Sequence, residues 1–167
     1  MFLWKKSKGE YDIMRVVAID QSYTCFGVSV VEGDKVLLCE SYGMPFKTKT
    51  QKRRFYSSVV QAIALKYKPS KLIVERVRVF SKGFMSIKAI LALGTLVAVT
   101  VDSVEVPVYS VDTRSWKAKV LGSAKATKED AVRYVKDNYG FDVDHNAADS
   151  AGIGLSVARG CNLELEE

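Results

Sequence analysis

Asn146-Ala147-Ala148-Asp149-Ser150-Ala151-Gly152 opens an apolar-faced segment late in the chain, with Asp142, Asp144 and His145 directly ahead of it. Its polar groups therefore sit at the start of what reads as the last helix. Helix positions three and four apart share a face, so Asp149 projects beside Asn146 or His145. Two earlier acids close apolar, strand-like runs: Asp20 follows Val16-Val17-Ala18-Ile19, and Glu75 follows Leu72-Ile73-Val74. Two strand-end acids and one helix-borne acid are the minimum set for gathering oxygens around a divalent metal.

The chain ahead of that helix alternates strand and helix. Residues 15–20 form a continuous apolar run ending in an acid, as a central strand does when both its faces are covered. Gln21-Ser22-Tyr23 reads as a turn. Residues 24–31 are β-rich, and Glu32-Gly33-Asp34 turns the chain into a strand over 35–42, which completes a three-stranded meander. Residues 47–54 are strongly basic and lead into a helical pattern (Phe55, Val59, Ile63, Ala64) that stops before Lys68-Pro69. A second buried strand covers 71–75. A basic loop over 76–84 follows and carries two aromatics, Phe80 and Phe84.

Residues 85–100 read as an almost wholly apolar helix, buried on more than one side. Ala92 and Gly94 permit a close helix approach there, and a dimer interface accounts for the pattern. A third buried strand is expected over 104–111, with Pro107 placing it at an edge or marking its start. Asp112-Thr113-Arg114-Ser115 starts a helix that Gly122 stops. Thr127-Lys128-Glu129-Asp130 forms a capping box with Asp130 in the acidic place, and its helix runs to Asn138-Tyr139-Gly140. The last helix spans about 144–158. This order demands parallel neighbours and a mixed sheet covered on both faces. Asp20 and Glu75 then end adjacent parallel strands, where open α/β sheets carry their sites.

At 167 residues the chain is long enough for one well-buried domain. Lys plus Arg number 25 against 19 for Asp plus Glu, a net charge of +6. Such a basic excess suits phosphate binding and also an ordinary soluble protein. Cys25, Cys39 and Cys161 have no short spacing, so neither a disulfide framework nor a zinc knuckle is indicated, and a reducing, cytoplasmic setting fits. The longest apolar run, 89–101, falls short of the roughly 20 residues of a membrane span. Residues 1–6 lack the apolar core of a signal peptide. Residues 1–14 read as an N-terminal extension or alternative start, 15–160 as the domain and 161–167 as a C-terminal tail.

This order of elements, with acids at these points, resembles the ribonuclease H-like nucleases, and more closely the RuvC family of Holliday-junction resolvases. The resemblance is carried by Val17-Ala18-Ile19-Asp20, Ile73-Val74-Glu75-Arg76-Val77 and Val106-Pro107-Val108-Tyr109. It continues through the stretch from Trp116-Lys117 to Lys128, and through Asn146-Ala147-Ala148-Asp149-Ser150-Ala151, so it spans about Arg15 to Arg159. It implies an α/β fold, a mixed five-stranded sheet of a three-stranded antiparallel meander plus parallel strands with helices on both faces. The implied activity is that of a metal-dependent, structure-selective DNA endonuclease. Such an enzyme resolves four-way junctions by paired phosphodiester hydrolysis as a homodimer, with two Mg²⁺ or Mn²⁺ per site and no small-molecule cofactor. The short length and extra loop residues suggest a phage-type member, acting in the host cytoplasm.

By the same resemblance Asp20, Glu75 and Asp149 are metal-binding catalytic acids, and the position three residues before Asp149 is held by Asn146. Lys117 and Lys128 take the family's basic positions. Phe80 or Phe84 is the aromatic that opens a base step. Arg53, Arg54, Arg76, Arg78 and Lys82 can form a phosphate-tracking surface. Two-metal hydrolysis needs ions roughly 3.5–4 Å apart, clamping the attacking water and the leaving oxygen. Asp20, at the sheet centre, is the natural bridge between them.

Asn146 departs from that pattern, because an amide offers only a neutral carbonyl where a carboxylate adds charge. Three readings account for it. His145 takes the ligand or water-orienting role; Asp144 reaches in from the cap; or Asn146 is an isosteric Asp→Asn exchange that silences cleavage and leaves a junction-binding form. The isosteric exchange favours the third slightly. A different class of function is an actin-like or sugar-kinase-type phosphotransferase, with Ser22, Thr24 and Gly27 as a phosphate loop, but the chain is short for that two-domain fold.

Overall fold

The computed structural model of the chain describes residues 4–5, 11–12, 14–76 and 87–167. Its strands are β1 (Trp4–Lys5), β2 (Tyr11–Asp12), β3 (Arg15–Asp20), β4 (Cys25–Glu32), β5 (Lys35–Gly43), β6 (Lys71–Glu75), β7 (Val108–Val111) and β8 (Leu163–Glu166). Its helices are α1 (Lys49–Tyr67), α2 (Ile87–Ser103), α3 (Thr113–Leu121), α4 (Lys128–Tyr139) and α5 (His145–Ala158). The main sheet has six strands in the order β5-β4-β3-β6-β7-β8. β3, β6 and β7 are parallel, while β4, β5 and β8 run antiparallel to their neighbours. β1 and β2 pair with each other in a separate two-stranded ladder.

β3 is apolar throughout because both its faces are covered. Successive side chains point to opposite faces. Val17 and Ile19 join Tyr56, Val60 and Ile63 of α1 and Leu96 of α2 on one face. Val16 and Ala18 meet Trp116 and Val120 of α3 and Ile153 and Leu155 of α5 on the other. Apolar burial of this kind, about 1.5–3 kcal/mol for each large aliphatic side chain, holds the layers together.

The helix ends follow their capping chemistry. Asp112, Thr127 with Asp130, and Asp144 cap α3, α4 and α5, and Gly122 and Gly140 close α3 and α4 in the left-handed region. α1 has a capping box of its own, Thr48 with Gln51.

The sheet departs from the five-stranded expectation at its edge. Residues 163–166 pair antiparallel with β7 as a sixth strand, with Leu163 opposite Val111 and Glu166 opposite Val108. Leu-Glu-Leu-Glu alternates as a half-exposed edge strand should. β7 itself is shorter than the expected 104–111. Pro107 stands just before it, where a missing N–H costs nothing, and its carbonyl accepts from Leu72 N–H at 3.0 Å. Among the described residues no helix is long and apolar enough to cross a membrane.

Candidate active site

Asp20 is the last residue of β3 and Glu75 the last of β6, and the parallel register that sets Ile19 beside Val74 brings the two acids to the same end of the sheet. Behind Asp20, the Gln21 side chain anchors this end by donating to Tyr56 Oη at 2.6 Å and Thr100 Oγ1 at 3.1 Å. The third acid arrives with α5, whose seat is fixed by two close approaches. Gly27, paired with Asp20 across β3 and β4, lies under the α5 backbone. A Cβ at Gly27 would come within 1.9 Å of the Asn146 carbonyl oxygen. Farther along, Ser150 Oγ and Ser29 Oγ share a buried hydrogen bond of 2.6 Å, and Cys39 Sγ donates to Ala147 O at 3.3 Å.

The second approach concerns α3. Trp116 is fully buried and its ring lies against Gly152, where a Cβ would stand 2.4 Å from the indole. The indole N–H donates to Glu75 Oε1 at 2.9 Å. A buried tryptophan needs an acceptor for its N–H, and here that acceptor is a site acid. This contact was missed in the sequence, where the only signal was a Trp with no evident polar partner.

The three acids act on one another. Burial pushes the Asp20 carboxyl well above its usual range, and the charges of Glu75 and Asp149 push it further, opposed by Lys128. Asp149 is raised to about 6, by burial first and then by Glu75, while Lys117 and Lys128 pull it down. Lys117 and Lys128 thus lie within electrostatic reach of the acids, and Lys117 Nζ donates to Ala126 O at 3.0 Å.

The sign of the Asp149 shift sets a pH dependence. A raised acid favours the fold fully below its unfolded value near 3.8, and that contribution disappears as pH rises through about 6. In chelator, the melting temperature is expected to rise as pH falls from 7.5 to 5.5, and Asp149→Asn to flatten the slope. The whole Asp149 shift corresponds to about 3 kcal/mol, of which roughly 0.8 kcal/mol falls between pH 7.5 and 5.5. Melting curves of both proteins across that range test it; an unchanged slope in the variant refutes the assignment.

Does the set fit a metal? Among the described residues, no donor reaches the buried Asp149 Oδ1, a costly state for an acceptor. The side chains offered are hard carboxylate oxygens, which suit Mg²⁺ or Mn²⁺. Among the described residues, however, no three Asp, Glu, His or Cys side chains stand close enough to form a ready-made metal cage. The carboxylates raise one another's affinity for protons, and a divalent cation among them would offset that repulsion. The residues present fit the group.

The remaining candidates divide. Asp144 is engaged as a cap, with Oδ1 accepting from Ala147 N–H at 3.0 Å and Oδ2 from Ser41 Oγ at 2.7 Å. Burial tends to raise its carboxyl, but these bonds and the neighbouring His145 hold it below the usual range. His145 and Asn146 occupy the first turn of α5, both half-buried. Arg76 is paired rather than open: its guanidinium makes an ion pair with Glu164 of β8 at 3.1 Å and donates to Ser110 Oγ at 3.4 Å. Arg53 and Arg54 lie near the start of α1, and the Arg53 Nε is buried without a partner among the described residues. Arg78, Phe80, Lys82 and Phe84 fall outside the described residues. The phosphate-loop alternative loses its glycine, because Gly27 is roofed by α5.

No family model matches the chain, and no curated protein sequence does. Solved structures do match. RuvC of Thermus thermophilus shares 23% identity at a TM-score of 0.68, covering 87% of this chain and 94% of that one. The same protein in complex with Holliday junction substrate gives 23% and 0.67, covering 86% and 92%. The yeast mitochondrial Holliday junction resolvase Ydc2 gives 17% and 0.60, covering 91% and 80%. The fold is therefore RuvC-like, a mixed α/β sheet of the ribonuclease H-like kind.

Proposed function

We propose that this chain is a metal-dependent endonuclease that resolves four-way DNA junctions. The observation that carries the reading is the convergence at one end of a RuvC-like sheet of Asp20, Glu75 and Asp149, whose buried Oδ1 has no partner among the described residues. Neighbours of that fold include a RuvC bound to Holliday junction substrate and a mitochondrial Holliday junction resolvase.

Asp20, Glu75 and Asp149 would hold two Mg²⁺ or Mn²⁺ ions, with Asn146 beside Asp149 on the same face of α5. When bound, such ions activate water and neutralise charge on the scissile phosphate. Asp20, at the end of the central strand β3, would be the acid shared between the ions. Lys117 and Lys128 add positive charge where the phosphate would enter and temper the repulsion among the carboxylates. Arg54, exposed on the outer side of α1, and the basic residues of 76–84 would track the flanking backbone, with Phe80 or Phe84 as the base-stacking wedge. Arg76 joins them only if phosphate displaces Glu164.

Paired incision calls for two sites related by symmetry. The α2 helix supplies a surface for it: Ile87 and Leu91 are 77% and 66% exposed, and Gly94 and Ala98 continue the same exposed stripe. A homodimer through this apolar face covers it. The cytoplasm is the proposed location, for a chain whose three described cysteines are free.

The test is cleavage of a labelled four-way junction in Mg²⁺ or Mn²⁺ by this chain and by Asn146→Asp. The expected result is binding by both and cutting faster by at least about 10–100-fold in the variant, the scale on which metal-site support matters. Equal cutting assigns the fourth role to His145, since both Asp144 oxygens are engaged. Neither cutting nor junction binding by either protein refutes the resolvase reading.

A further inference from the structure

Trp116 is not among the groups that would touch an ion or DNA, yet it is bonded directly to one that would. Its ring is fully buried, backed by Gly152 of α5 at a distance that admits no larger residue. Its backbone is fixed as well: Trp116 N–H donates to Asp112 O at 3.0 Å in the first turn of α3, and Asp112 accepts from Ser115 N–H at 3.2 Å. The indole N–H is thus a rigid donor presented to Glu75 Oε1 at 2.9 Å. Glu75 is its opposite, an acid at a strand end on a side chain whose rotamer freedom is worth up to about 2 kcal/mol.

Resting on the metal-site reading above, we propose that Trp116 is the positioning residue of Glu75 and sets which cation the site prefers. The indole restrains the carboxylate and engages one lone pair of Oε1, so Oε2 is the freer oxygen. With one lone pair of Oε1 engaged, such a carboxylate is biased towards ligation through one oxygen. Such ligands suit Mg²⁺ and Mn²⁺, whose small octahedral shells use few carboxylates, and disfavour Ca²⁺, which takes six to eight oxygens and often both of one carboxylate. The contact crosses from α3 to β6, so it also ties the helix bearing Lys117 to the strand end bearing Glu75.

A residue that merely fills the core would affect stability without choosing between ions. The test is therefore direct titration of Mn²⁺ and of Ca²⁺ into DNA-free protein by calorimetry, comparing the wild type with Trp116→Phe. Phenylalanine keeps an aromatic ring and removes the donor. Mn²⁺ affinity is expected to fall about 10–100-fold, with Ca²⁺ affinity falling much less, so that the Mn²⁺/Ca²⁺ preference narrows. Should the smaller ring prevent folding, a benzothienyl ring in place of the indole keeps its volume, replaces N–H by sulfur and carries the same expectation. An unchanged Mn²⁺ affinity in a cooperatively melting variant overturns the proposal. Equal losses for both ions, the mark of general loosening, overturn it too. If the wild type itself takes up no Mn²⁺, the metal-site reading fails and this inference with it, an outcome distinct from the other two.

Discussion

Asp20→Asn is expected to abolish metal-dependent junction cleavage, by at least about 10³-fold, and at the same time to raise the melting temperature of the metal-free protein. The two effects have one cause. Asp20 is deeply set, and burial, Glu75, Asp149 and Asp144 all oppose its negative charge, with Lys128 the opposing influence. Without a cation that charge destabilises the fold; on the proposed metal-site reading, the same charge would hold the cation. Asparagine keeps the shape and removes the charge, so stability rises while the central ligand is lost. The cleavage assay uses whichever of the chain and Asn146→Asp cuts, under single-turnover conditions. Scanning calorimetry in chelator at pH 7.5 reads the stability, where each kcal/mol is worth about 2–4 °C for a protein of this size. A variant that melts lower in chelator, or that cuts near the parental rate, removes Asp20 from the centre of the site.

Gly27→Ala is the largest structural effect expected of a single methyl group. The added Cβ would lie 1.9 Å from Asn146 O, 2.3 Å from its carbonyl carbon and 2.7 Å from Ala147 N. All three are backbone atoms, so no rotamer change can make room; the first turn of α5 must lift from β4. Overpacking usually costs about 1–3 kcal/mol where side chains can adjust, and here the cost should reach about 3 kcal/mol or more, a fall of roughly 10 °C. The lift also carries Asp149 away from Asp20 and Glu75, so Mn²⁺ uptake should weaken in whatever fraction stays folded. Thermal melting and metal titration together check it. A variant as stable as the parent would mean that α5 does not sit on Gly27.

The acids were legible in the sequence because each stands where a pattern changes. The runs 16–19 and 72–74 are apolar without alternation, the mark of strands covered on both sides, and each stops at an acid. Asp149 was legible through helical spacing after a capping aspartate. Less legible were the contacts that set these acids relative to one another. Trp116 and Glu75 are 41 residues apart, and Gly27 meets Asn146 through backbone atoms alone, which no side-chain pattern announces. The sixth strand was hidden by its brevity: four residues after Gly160 carry the right alternation, but nothing local says which strand they join. Arg76 read as a free cation for the same reason, since its partner Glu164 lies on that strand.

The seat of α5 on β3 and β4 ties the order of synthesis to the gathering of the three acids. Chains emerge N-terminus first, so β3, β4 and β6, with Asp20 and Glu75, exist long before α5 does. Until α5 docks, the side of the sheet carrying Val16, Ala18, Val31 and Ile73 lacks the Ile153 and Leu155 that pack on it, and the acids lack Asp149. The helix that closes this core is the one that delivers the third acid. Completion of the fold and assembly of the three acids are thus one event, and a ribosome-bound or prematurely ended chain carries only part of the acid set.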